Sequence, residues 1–303
     1  MNSFERSAWV IPRECLYILN DCGALSPLEK SPFRAWQLPS SQIGRGEGKY
    51  APVVDRVGLE QFEQFVYPPY GTTLAGAYGG RFEAVFILLH PFIRMPEQLA
   101  WNMTRRYPSD NEIAALGAAC TWAEVAKATG LTSCARLNQA LLTACGSLTA
   151  EFADREGKNA LQRFLQSAPI WMPAQGRFEP LLQSKLLRMF LKSGADQVVY
   201  VPEFPGANPI ERLKAEDLRN GKVPFPPSGS LVAPDASFLF TVDWDSFFTL
   251  FYGAREFLVQ MARELEFEGF FATANTDHAW FNFSLGCATV TLSPEHWQVG
   301  DTP

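Results

Sequence analysis

The hydrophobic pattern of the chain changes at Gly194, from helical before this residue to strand-like after it. Between Pro108 and Lys192, apolar residues recur three to four positions apart, which is typical of amphipathic helices. After Gly194, short runs of β-branched and aromatic residues alternate with turn residues, and short turns favour antiparallel strands. The pattern therefore predicts an α+β fold, with a helical middle section packed on a mainly antiparallel C-terminal sheet.

Shorter signals locate individual elements. The segment RFEAVFILLHPFI at 81–93 predicts a buried strand that Pro91 ends, and Ser109 and Thr121 are predicted helix caps. NPIERLKAEDL at 208–218 predicts a short helix. A β-β-β-α-β-β succession follows it, formed by SLVAPD, SFLFTVDWD, SFFTLFYG, AREFLVQMARELE, EGFFATA and HAWFNF.

Two parts of the chain differ in regularity. Residues 1–80 contain frequent Pro and Gly between short apolar stretches, which indicates irregular structure. We expect them to form an N-terminal extension that packs on the main body. The main α+β domain is then 81–303, with a helical part at about 97–193 and a β-rich part at about 195–285.

The whole net charge of −6 lies between Asp235 and Leu285, which hold eight acids, two bases and many aromatic residues. Nucleic-acid binding requires positive charge near phosphate, so we predict no nucleic-acid partner. The acidic, aromatic block instead favours a protein-binding module, of the immunity type, that takes a basic protein partner. A solvated acidic face is the alternative interpretation. The predicted binding residues are Trp244, Glu266, Glu268 and Trp280.

Targeting and metal-binding patterns are missing from the sequence. Charges at Glu5, Arg6, Arg13 and Glu14 interrupt the apolar N-terminal stretch, so we predict no signal peptide. No apolar run approaches the ~18 residues that cross a bilayer, which predicts a cytoplasmic protein with no membrane partner. The six cysteines form no CxxC pair, so we predict neither a metal site nor a cofactor.

One group of residues supports a different function, an enzyme with a carboxylate and histidine pocket that acts with or without a divalent metal. Asp243 and Asp245 lie two residues apart, which on a strand places both carboxylates on one face about 7 Å apart. Such a pair holds a divalent cation or divides acid and base roles, although a solvated turn also accommodates it. The third candidate is His278, which a more distant acid than its neighbour Asp277 would have to orient.

The segment Thr121 to Cys145 has the spacing of a helix-turn-helix, with Gly130 in its turn. A recognition helix needs side chains that read bases and contact phosphates. The second helix offers only Arg136, Asn138 and Gln139, without a basic patch around them. Two packed apolar helices are therefore the favoured interpretation.

Several short motifs resemble one bacterial family. They are LHPFI at 89–93, YPSDNEI at 107–113, TW at 121–122, DSFFTLF at 245–251, FEGFF at 267–271 and HAW at 278–280. Together they are similar to a family catalogued as domain of unknown function 2711, and the resemblance covers about residues 81–285. It implies a bacterial, cytoplasmic protein and assigns no catalytic residue or ligand.

Overall fold

A computed structural model gives the structure of the chain and describes residues 58–69, 72–97, 106–131, 133–148, 150, 152–203, 209–243 and 246–278. Its α-helices are α1 (Asp110–Leu116), α2 (Trp122–Thr129), α3 (Cys134–Cys145), α4 (Arg155–Ser167), α5 (Pro180–Lys192), α6 (Ala215–Arg219) and α7 (Arg255–Glu264). Its strands are β1 (Ala84–Leu89), β2 (Phe92–Arg94), β3 (Ala118–Cys120), β4 (Ile170–Trp171), β5 (Gln197–Val201), β6 (Glu211–Lys214), β7 (Gly229–Val232), β8 (Leu239–Val242), β9 (Phe248–Gly253) and β10 (Gly269–Phe271).

Seven of the described strands form one sheet in the order β10-β1-β9-β8-β7-β5-β6, and all its pairs are antiparallel. The predicted α+β fold, with helices in the middle of the chain and an antiparallel C-terminal sheet, is thereby confirmed. The sheet also includes β1, which precedes every α-helix in the described residues. In the longest pairing, Ala84 lies opposite Gly253 and Leu89 opposite Phe248.

Both faces of this sheet are covered. All six residues of β1 are buried, which explains why its sequence is apolar without alternation. Val85, Ile87 and Leu89 share the first face with the apolar sides of α2, α3 and α4. The other residues of β1 share the second face with α5, α6 and α7.

The predicted helix starts are confirmed in detail. Ser109 and Thr121 each form a capping box. The cap hydroxyl accepts from the backbone N–H of the glutamate three residues later, and the carboxylate of that glutamate accepts from the backbone N–H of the cap residue. α2 ends at Gly130, whose φ of 72° is easily adopted only by a residue without a side chain.

The predicted helix at 208–218 is wrong in its first half. Glu211–Lys214 is β6, which pairs with Gln197–Tyr200 of β5, and the helix begins only at Ala215. A free strand edge offers four residues a full hydrogen-bond ladder, which outweighs the weak helix preference of so short a segment.

The described part of the N-terminal extension contributes to the core. Leu59, Phe62, Phe65 and Leu74 are buried against the first face of the sheet. Residues 1–57 and the predicted strand HAWFNF, beyond its first residue, lie outside the described residues. None of the helices in the described ranges combines the length and hydropathy that crossing a membrane requires.

Candidate functional site

Polar residues gather at one end of the main sheet, where β1, β5 and β8 end and β7 and β9 begin. The pairing of Leu89 with Phe248 and of Val242 with Gly229 brings these strand ends to the same side. We call this side the site end. Asp243 directly follows β8 and therefore lies at the site end, with only 8% of its surface exposed.

Asp243 acts electrostatically on two other titratable groups. Glu203 lies two residues beyond the end of β5, and burial, followed by the charge of Asp243, raises the pKa of its carboxyl. A hydrogen bond with Ser228 opposes this shift. The pKa of His278 is lowered by burial, while Asp243 and Asp277 raise it. Asp243 therefore acts on the charge of two residues from other parts of the chain. We call Glu203, Asp243 and His278 the acidic cluster.

His278 is held by the segment that contains Tyr67 and Pro69. Its Nδ1 lies 3.2 Å from the hydroxyl of Tyr67, and its Nε2 lies 3.1 Å from the carbonyl oxygen of Pro69. The Tyr67 and His278 rings also pack at a centroid distance of 5.3 Å. Only 7% of the surface of His278 is exposed, so these contacts fix the orientation of the imidazole.

Two hydrogen bonds of Ser246 fix the turn that contains Asp243. The Ser246 hydroxyl donates to the carbonyl of Asp243 at 3.0 Å, and the carbonyl of Ser246 accepts from the N–H of Gly176 at 2.9 Å. Gly176 belongs to the loop between β4 and α5. The position of Asp243 therefore depends on a loop from the helical part of the chain.

Glu203 is positioned by the absence of a side chain at Gly229. A Cβ on Gly229 would lie 2.4 Å from the carbonyl oxygen of Val201 and 3.1 Å from the N–H nitrogen of Glu203. Gly229 also has a φ of +89°. Only glycine allows β7 to begin so close to the end of β5, and this approach fixes the backbone of Glu203 at the site end.

The loop between β4 and α5 is fixed by a second group of buried residues, His90, Glu179, Thr249 and Trp122. His90 is fully buried, with Nδ1 3.0 Å from the carbonyl of Ala174 and Nε2 2.8 Å from the hydroxyl of Thr249. The N–H of Ala174 donates to the Glu179 carboxylate at 2.8 Å. Trp122 completes the group, because its indole N–H donates to the His90 carbonyl at 2.7 Å.

The predicted site residues have different positions. Of the three catalytic candidates, Asp243 and His278 are in the cluster, and Asp245 lies outside the described residues. Trp244 and Trp280 also lie outside them.

The two glutamates predicted to bind a partner are placed differently from each other. Glu266 is exposed beyond the end of α7. The Glu268 carboxylate instead accepts hydrogen bonds from the N–H groups of Trp122 and Ala123. Its negative charge there compensates the positive end of the α2 helix dipole.

Several acids of the Asp235–Leu285 block are engaged within the protein. Asp235 accepts from the backbone and hydroxyl of Ser237, and Glu264 forms an ion pair with Lys192. Fewer charges are therefore available to an external partner than the sequence count indicates, and the basic partner stays a prediction.

The described ranges contain many potential metal ligands. No group of three or more His, Cys, Asp or Glu side chains in those ranges is arranged to hold a metal ion. The divalent-metal variant of the enzyme hypothesis depends on Asp245, which lies outside them.

Sequence reasoning missed Glu203 and Tyr67. Glu203 had a usable signal, because it is an acid directly after a buried strand, VVYVP, and residues that follow strands gather at sheet ends. Tyr67 had none, since its contact with His278 depends on how two distant segments cross the first face.

A family comparison covers most of this structure. The profile of the family described as "Protein of unknown function (DUF2711)" matches residues 71–282. The chain belongs to this family. The resemblance seen in the sequence motifs is therefore confirmed, and the matched range contains Glu203, Asp243 and His278, while Tyr67 lies four residues before it.

One relative of the chain is the "Uncharacterized protein YwbB" of Bacillus subtilis (strain 168). It is 23% identical over 209 residues, which are 66% of this chain and 91% of that protein. No solved structure matches the chain.

Proposed function

We propose that the chain binds a small polar ligand at Glu203, Asp243 and His278 and transfers a proton to or from it. The observation that carries this proposal is that the charge of Asp243 shifts the pKa of both Glu203 and His278, which come from other segments, while Asp243 and His278 are themselves buried. Perturbed titratable groups that share one desolvated environment are a feature of acid–base sites.

The roles follow from the direction of each shift. Glu203, whose pKa is raised, retains its proton at higher pH than a solvated glutamate and is suited to donate it. Asp243 is the charged partner, because its negative charge produces part of that rise. His278, whose pKa is lowered mainly by burial, is neutral near pH 7 and is suited to accept a proton.

The charge of the site selects the ligand class. The side-chain charges that shift Glu203 and His278 come from Asp243 and Asp277, which are both acids. A site with negative potential repels phosphate esters and carboxylates and accepts neutral or cationic molecules. We therefore propose a ligand with hydroxyl or amine groups.

A thermal-shift screen tests this proposal. The panel contains neutral sugars, primary amines, nucleosides and sugar phosphates, and ligands of the first three classes are expected to raise the melting temperature. Asp243→Asn and Glu203→Gln should abolish the rise. Asp196→Asn and Glu216→Gln, which make the same chemical changes at exposed positions, should retain it.

The proposal fails if only the sugar phosphates bind, or if the hits bind equally to all four variants. Either result would locate ligand binding away from the acidic cluster.

The protein-binding hypothesis rests on the exposed acids Glu256 and Glu266. Under that hypothesis, Glu256→Lys with Glu266→Lys weakens binding of a purified basic partner, and the loss is larger at low salt. The buried Asp243→Asn variant should bind such a partner normally. An affinity that depends on Asp243 and not on the two exposed glutamates would contradict it.

A further inference from the structure

We propose that Tyr67 and His278 form a proton-transfer pair that makes the Tyr67 phenol a nucleophile towards an electrophilic ligand. From the proposed function, the proposal rests only on the role of His278 as a base, and it adds a nucleophile and a reaction class. Tyr67 is half-buried, whereas His278 is buried, so the phenol is the more accessible member of the pair.

The hydrogen bonds of His278 define its tautomer. The carbonyl oxygen of Pro69, 3.1 Å from Nε2, can only accept, so Nε2 carries the hydrogen of the neutral imidazole. Nδ1 then has the lone pair, and the Tyr67 hydroxyl at 3.2 Å donates to it. The basic nitrogen of His278 is therefore directed at the one proton that must leave when Tyr67 reacts.

The charged groups around His278 favour the product of this transfer. Burial keeps the imidazole neutral before reaction, so that it is available as a base. When Nδ1 takes the phenol proton, the imidazolium is stabilised by Asp243 from the turn after β8, by Asp277 from its own segment and by the Pro69 carbonyl. The same acids that raise the pKa of His278 thus lower the energy of the charged intermediate.

The step balances as a substitution. The Tyr67 oxygen forms a bond to the electrophilic atom of the ligand, its proton moves to Nδ1 of His278, and the leaving group departs with its electron pair. Acyl or sulfonyl compounds that also carry the hydroxyl or amine groups of the proposed ligand are the substrates that such an activated phenol takes. No oxidant, reductant or further reactant is needed.

An aryl sulfonyl fluoride is a direct probe of this chemistry, because it forms a Tyr–O–S bond and releases fluoride. Mass spectrometry of peptides from the labelled full-length chain compares its eight tyrosines. Tyr67 should react fastest, and His278→Gln should slow its labelling by about a hundredfold. Tyr78, whose hydroxyl donates to the Val66 carbonyl, is the internal control and should keep its rate.

Equal labelling rates at Tyr67 with and without His278 would overturn the proposal. A fall of the Tyr67 and Tyr78 rates by the same factor would also overturn it, because the effect of His278 would then not be specific to the tyrosine that it contacts.

Nitrogen-15 NMR of the unmodified protein gives a second readout that does not depend on reactivity. The spectrum should show hydrogen on Nε2 of His278, and hydrogen on Nδ1 would refute the proposal. Tyr67→Phe removes a hydrogen bond to the neutral imidazole and should raise the pKa of His278, whereas Asp243→Asn should lower it. A merely structural contact does not predict shifts of opposite sign.

These measurements separate the two proposals. If Tyr67 is selectively labelled but no ligand in the thermal-shift panel depends on Asp243, the proposed ligand site fails and the pair stands. If ligands bind and Tyr67 is unreactive, the pair fails alone.

Discussion

Glu179 gives the sharpest test of the electrostatics in this fold, because its carboxylate is fully buried. One oxygen accepts from the N–H of Ala174 at 2.8 Å, and the other lies 3.5 Å from the N–H of Leu181 in the first turn of α5. Burial nevertheless raises the pKa of Glu179 from 4.5 to about 7, because these N–H groups and Arg177 compensate for only part of the lost hydration. Asp110 adds to the rise, and the Tyr107 side chain is the other titratable group that faces the carboxyl.

The direction of the pH effect follows from linkage. The folded pKa is higher than the unfolded one, so the folded protein binds more protons between about pH 4.5 and about pH 7. The contribution of Glu179 to stability is complete below the lower value and is lost as the pH rises through the upper one. A shift of that size corresponds to about 3 kcal/mol, since one pKa unit is 1.36 kcal/mol.

Urea unfolding of the wild type and of Glu179→Gln measures this quantity. The variant cannot ionise, so its free energy of unfolding relative to the wild type should rise by about 3 kcal/mol from about pH 4.5 to about pH 8. His90 shows the opposite dependence, because burial lowers its pKa to about 4, but it is present in both proteins and cancels in the difference. Glu216→Gln, which makes the same chemical change on the exposed side of α6, is the matched control.

A constant difference between Glu179→Gln and the wild type across this pH range would refute the reasoning. It would mean that the Glu179 carboxyl titrates as it does in the unfolded chain.

Three other substitutions have defined expectations in urea unfolding. Gly229→Ala should lower the free energy of unfolding by about 2 kcal/mol or more, because the new Cβ would clash with the Val201 carbonyl and alanine is strained at this positive φ. An unchanged free energy of unfolding would show that β7 can shift freely. Glu268→Ala should lower the free energy of unfolding by about 1–2 kcal/mol, because α2 loses the carboxylate that caps its first N–H groups. Glu266→Ala, at an exposed position, should lower it by about 0.5 kcal/mol or less. Equal effects would contradict the capping role. Asn138→Leu should stabilise by about 1–3 kcal/mol, because neither amide atom of this buried side chain has a hydrogen-bond partner among the described residues; a large loss of stability would contradict this.

Local features of this fold were predictable from the sequence. The capping boxes at Ser109 and Thr121 depend on residues three positions apart, so the information is contained in a short window. The strand at 84–89 was also evident, because six consecutive apolar residues have no other favourable environment. Its place between β9 and β10 was not, since a strand sequence does not encode which distant partner lies beside it.

The candidate site was predictable only in part, for the same reason. Asp243 stood out as an acid at the end of a strand, and His278 required an acid from elsewhere, which Asp243 supplies. The position of Glu203 depends on Gly229, which allows β5 and β7 to approach closely. Tyr67 contacts His278 because its segment crosses the first face of the sheet. These relations arise from tertiary packing, so the place of Glu203 after a strand did not reveal that Asp243 would act on it.

The position of β1 in the sheet also has a consequence for synthesis of the protein. Its partners β9 and β10 leave the ribosome after helices α1–α6, so this apolar segment is made early and paired late. Until then, its backbone groups and side chains can associate with other chains. Pairing across so long a separation in the chain is also slow. The nascent protein is therefore an expected client of chaperones that hold exposed strands.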